Sequence, residues 1–170
     1  AGVGINHAEM FPLLNREAEN VLELFQVWIN LPKRTKMAKP SFKMFWAEDL
    51  PAVEAPTKAP GLMPEAVLVA GSLPGAKAPP SPPPESYANE ESSDVLVVTL
   101  KLPAGASWTL PGYAGPRSAE GLNRNLYFYA GSRATLNGQE VSSSKQIKVR
   151  PEVDIDIFAD GDKPAEFLIL

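Results

Sequence analysis

A chain of 170 residues with a net charge of −4, no cysteine and one histidine excludes a disulfide framework, a thiol nucleophile and a thiolate metal site. It also excludes nucleic-acid binding through a general basic surface. Hydrophobic residues at 44% and charged residues at 21% are the balance of a globular protein of one or at most two domains with a real core to bury.

Residues 1–10 read as a strand end or turn and contain the single histidine, His7, two positions before Glu9. On a strand, alternate side chains share a face, which would set the two Cα atoms roughly 6.6 Å apart. That spacing suits two ligands converging on one divalent metal, since imidazole nitrogen and carboxylate oxygen both bind such ions at about 2.0–2.2 Å. A lone histidine near a chain start is also commonly just solvated. Two protein ligands are too few for most stable sites, so any metal held here needs partners from outside the sequence.

The polar stretch 15–20 reads as a turn or loop. Residues 21–31 are mostly apolar on both alternating faces, the pattern of a strand covered on two sides, and Pro32 ends it. The segment 33–39 holds four basic residues, Lys33, Arg34, Lys36 and Lys39, and reads as a solvated basic turn or an anion-docking patch. Residues 32–64 form a proline-punctuated connector, and the aromatics Phe42, Phe45 and Trp46 are expected to pack it against both neighbours.

From Glu65 the pattern is β. Residues 66–70 are a short apolar run closed by Gly71. Residues 78–84 include five prolines and form a stiff extended loop. In 94–102 the set Leu96, Val98, Leu100 and Leu102 is wholly apolar and faces the core. Further strands fall at 107–110, 125–130, 146–149, 153–158 and 166–170. Asn137-Gly138 has the chemistry of a two-residue type I′ hairpin, in which both positions need φ > 0. Asp154 and Asp156 alternate with apolar residues, so they face water together and make no catalytic pair. Seven or eight short strands in about 105 residues predict an all-β sandwich or jelly-roll barrel. Residues 1–31 read as the last part of a further domain whose beginning is not in the sequence.

Three segments, Gly4-Ile5-Asn6-His7-Ala8-Glu9-Met10, Leu24-Phe25-Gln26-Val27-Trp28-Ile29-Asn30-Leu31-Pro32, and Lys36-Met37 followed by Pro40, together resemble the pirin family of two-domain cupins. The resemblance is close over the first forty residues and is one of pattern beyond them. It implies a cupin fold, with 1–31 the remnant of an N-terminal cupin domain, 32–64 an interdomain connector and 65–170 a C-terminal cupin domain. It also implies one iron ion in the N-terminal barrel, held by three histidines and one glutamate. His7 and Glu9 match two of these ligands; the other two come from an earlier His-x-His segment that the sequence does not contain, so the iron site is incomplete. The general cupin pattern of Gly, five residues, then His-x-His falls in the second domain on Gly105 and Pro111-Gly112-Tyr113, where neither ligand position coordinates, and that domain is expected to be metal-free.

The resemblance further implies either a quercetin 2,3-dioxygenase, cleaving a flavonol with dioxygen, or an iron-dependent regulator acting through a protein partner. A structural cupin follows if upstream histidines do not exist. In the enzyme reading Glu9 is both metal ligand and catalytic base and His7 a ligand, with Met10 and Phe11 as pocket candidates, though core packing is the commoner role for such residues. No apolar run reaches the ~18 residues of a membrane span, and the first residues lack a signal peptide's basic and apolar regions. A cytoplasmic protein contacting neither membrane nor nucleic acid is therefore expected.

Overall fold

A computed structural model describes residues 2–53, 61–115 and 119–170. Nine strands lie from Glu65 onward: β1 Glu65–Ala70, β2 Val97–Leu102, β3 Ser107–Leu110, β4 Arg124–Ala130, β5 Arg133–Leu136, β6 Gln139–Ser142, β7 Lys145–Val149, β8 Ile155–Phe158 and β9 Ala165–Ile169. Helical structure among the described residues is confined to three single turns of 3-10 helix, Ala47–Asp49, Tyr87–Asn89 and Glu91–Ser93. No helix among them is long and apolar enough to cross a membrane.

The strands form two antiparallel sheets, one in the order β1-β2-β9-β4-β7 and one in the order β3-β8-β5-β6. Strand alternation supplies the core. Val98, Leu100 and Leu102 on β2 and Leu126 and Phe128 on β4 turn inward from the first sheet; Trp108, Leu110, Ala134, Leu136, Ile155 and Ile157 meet them from the second. Phe128 and Phe167, adjacent across β4 and β9, stack with ring centroids 4.6 Å apart. Each fully buried Val, Leu, Ile or Phe side chain of this set contributes about 1.5–3 kcal/mol by leaving water. Asp154 and Asp156 are exposed, as the alternation of β8 requires.

The hairpin between β5 and β6 turns at Asn137 and Gly138, with φ of 45° and 82°. Asparagine has a second role there. Its amide accepts a hydrogen bond from Asp156 N at 2.7 Å and donates to Asp154 O at 3.0 Å, fastening the hairpin to β8.

The N-terminal part departs from the sequence reading. Residues 21–31 form no strand; 21–30 are exposed, Val21 at 95% and Trp28 at 86%, and Leu31 is half-buried. A two-sided apolar strand needs a paired edge and covered faces, and the described residues provide neither. The same applies to residues 4–10, which form no strand. Met10 and Phe11 are exposed, so neither packs in a core formed by the described residues. The connector docks by backbone, and of its three aromatics Phe45 alone is half-buried. Leu68 N donates to Pro51 O at 3.0 Å and Val53 N to Ala66 O at 2.8 Å, adding a bridge at Ala52 to the edge of β1 and burying Val53, whereas Phe42 and Trp46 stay exposed. Residues 54–60 of that connector lie outside the described residues.

The N-terminal segment is nonetheless tied to the barrel. Phe25 meets Tyr129 of β4 edge-on at 4.8 Å, and the Tyr129 hydroxyl lies 3.2 Å from both Glu23 Oε1 and Glu166 Oε2.

Candidate functional site

Local backbone chemistry places the His7 segment. Val3 N donates to Ala38 O at 3.1 Å, and Gly2, at φ +57°, comes so close that a Cβ there would lie 2.0 Å from the same carbonyl oxygen. Only glycine permits that approach. Residue 38 is itself fixed by a turn in which Thr35 N donates to Pro32 O and Ala38 N to Thr35 O, each at 3.0 Å. The basic residues of this turn are partly engaged: Arg34 pairs with Glu90, and Lys36 donates to Asn30. The polar stretch before residue 21 is a bent loop closed by Asn20, whose side chain accepts from Leu14 N and Asn15 N at 2.9 Å.

His7 and Glu9 converge despite the absence of a strand. His7 Nδ1 and Glu9 Oε1 are 3.0 Å apart, and both side chains are exposed. The two donor types fit a divalent metal in kind, and their convergence fits one ion. They do not fit in number, because no group of three or more metal-ligating His, Cys, Asp or Glu side chains occurs among the described residues. His7 also lines a groove of about 610 Å³, whose wall includes Val27, Trp28, Ile29, Lys39 and Glu85. That size falls within the ~300–1,000 Å³ usual for small-molecule sites.

A second concavity, of about 600 Å³, opens at one end of the barrel and includes Asp94, Tyr113 and Arg124 in its wall. None of the three was evident as a site residue from sequence. The expected strand at 125–130 begins one residue earlier, at Arg124, and the signal for it was phase: Arg124 alternates with Leu126 and Phe128 and so points inward with them.

The two-sheet barrel is similar to a crystal structure of a quercetin 2,3-dioxygenase from Acinetobacter baumannii, with a TM-score of 0.61 and 21% identity over 84% of this chain and 42% of the other. The fold is that of a cupin. In sequence the chain is 28% identical over 167 residues to a Pseudomonas aeruginosa protein described as a "putative quercetin 2,3-dioxygenase", covering 92% of this chain and 49% of the relative. The chain thus spans about half the length of the curated relative it matches. No family model matches it.

Proposed function

We propose that this chain is part of a pirin-like bicupin whose activity is oxidative cleavage of a flavonol of the quercetin type. The observation that carries the reading is the convergence of His7 Nδ1 and Glu9 Oε1 at 3.0 Å beside a groove walled by Val27, Trp28 and Ile29. A planar, largely apolar substrate suits such a wall. Further support comes from the structural neighbour of A. baumannii, named as a quercetin 2,3-dioxygenase, and the relative of P. aeruginosa, named as a "putative quercetin 2,3-dioxygenase".

In this reading residues 1–31 belong to an N-terminal cupin domain, and the rest of that domain covers their exposed apolar side chains, among them Leu13, Leu14, Val21 and Leu22. Residues 65–170 form the second, metal-free cupin domain. His7 and Glu9 would supply two of the ligands of one iron ion, and the remaining ligands would come from that first domain. When bound, an Fe(II) ion with an open position supplies a binding point for dioxygen or a substrate oxygen. Glu9 has a second role: its carboxylate takes the proton from a flavonol hydroxyl. His7 orients and holds.

The test uses the full-length protein carrying the proposed first domain. Iron-loaded protein should bleach the quercetin absorbance only in the presence of oxygen, and Glu9→Ala should abolish the reaction. Full iron occupancy with no turnover would sink the dioxygenase reading. An iron-dependent complex with a protein partner would then favour the regulatory alternative.

A further inference from the structure

We propose that the open end of the C-terminal barrel is a binding site for a small organic carboxylate, held by Arg124. This site is separate from the His7–Glu9 pair and does not depend on the activity proposed above.

Strand geometry puts the guanidinium there. β1 and β3 end, and β2 and β4 begin, at the same end of the sandwich, since Ala70 pairs with Val97 and Arg124 Nη1 reaches the Pro111 carbonyl just beyond β3. Arg124 points inward with Leu126 and Phe128 and is 8% exposed, the one buried charged residue among those described. Burial of a charge is costly unless a counter-ion or several hydrogen bonds compensate. Here Nη1 donates to Pro111 O at 2.7 Å, and no ion pair to Arg124 is found among the described residues. A guanidinium offers five donors in a planar fork, and among the described residues its bond is to one neutral carbonyl. Burial lowers its pKa from 12.5, yet an arginine remains charged at neutral pH. The geometry is that of a cation awaiting an anion.

The cavity defines which anion. Its volume is about 600 Å³, and Arg124 is part of its wall. Ala70, Leu73, Pro79 and Leu96 form an apolar part of a wall that is otherwise polar, with Ser72 and Asn89 beside them, and that part suits a small aromatic or aliphatic body. The fork of a guanidinium matches a planar carboxylate through two parallel hydrogen bonds. Two carboxylates also border the cavity: Glu90 is paired with Arg34, and Asp94 accepts the Tyr113 hydroxyl at 2.9 Å. They disfavour a doubly charged phosphate more than a monoanion.

Calorimetric titration of this chain with benzoate, with neutral benzamide and with inorganic phosphate tests the assignment. Benzoate should bind saturably, and benzamide and phosphate at least about tenfold more weakly, a difference of ~1.4 kcal/mol. Arg124→Met should lose benzoate binding while melting at or above the wild-type temperature, because an apolar side chain replaces an uncompensated buried charge. Arg124→Lys, which keeps the charge without the fork, should bind benzoate at least about tenfold more weakly; it serves if the Met variant does not fold. Absence of saturable benzoate binding, equal binding of benzamide or phosphate, or unchanged benzoate affinity in either variant would overturn the proposal.

Discussion

Tyr129→Phe removes a single hydroxyl from the seam between the N-terminal segment and the barrel. In the wild type that hydroxyl lies 3.2 Å from a carboxylate oxygen of Glu23 and 3.2 Å from one of Glu166. A neutral phenol has one proton, so it donates to one carboxylate and holds the other against its lone pairs. Lys101, 3.7 Å from Glu166, offsets part of the negative charge. A hydrogen bond to a charged acceptor contributes about 1.5–3 kcal/mol when buried; this one is partly exposed and screened, so about 0.5–1.5 kcal/mol is expected at neutral pH. The edge contact between Phe25 and the Tyr129 ring survives the substitution, which confines the loss to the hydroxyl.

The pH dependence is more specific than the magnitude. Burial first, then the charges of Glu23 and Glu166 and their hydrogen bonds, push the Tyr129 hydroxyl well above its ordinary value of 10.0. In the unfolded chain Tyr129 ionises near that ordinary value. Above it the unfolded state has released a proton that the folded state keeps, so the contribution of Tyr129 is fully present below about pH 10 and declines as pH rises further. Urea melts of the wild type and Tyr129→Phe at pH 8 and above pH 10 measure this directly. The stability advantage of the wild type should shrink, or reverse, in the alkaline pair. A difference that stays constant across that range would refute the assigned environment of Tyr129.

Phe128→Ala should destabilise the barrel by about 3–5 kcal/mol, because Phe128 is fully buried and stacked on Phe167; a denaturant midpoint nearly equal to the wild type's would contradict the packing. Gly71 sits at φ +92°, and a Cβ there would fall 2.1 Å from the Val95 carbonyl oxygen. Gly71→Ala should therefore cost at least about 1–3 kcal/mol, and a thermal melt unchanged by it would show that the crossing from β1 does not pass so close to Val95.

The barrel was legible in the sequence where one face of a strand was buried and the other wet. β2 and β8 alternate without exception, and Asn137-Gly138 announced its hairpin through the two positive φ angles it adopts. The N-terminal segment misled for a related reason. Its apolar residues on both faces describe what a strand needs, namely cover on two sides, and not whether the described residues provide it. The candidate metal pair was legible in residue identity but not in geometry: His7 and Glu9 meet through an irregular backbone braced at Gly2 and Ala38. Arg124 was hidden because charge reads as surface, and only its phase with Leu126 and Phe128 gives its direction away.

The central claim is that His7 and Glu9 form half of an iron site, and titration of Fe(II) into this chain alone, without air, tests it most directly. Two exposed ligands should give weak binding without a defined one-to-one endpoint, and His7→Ala should abolish even that. Tight one-to-one binding by the isolated chain would contradict the claim, since it would mean that the chain supplies a complete site by itself.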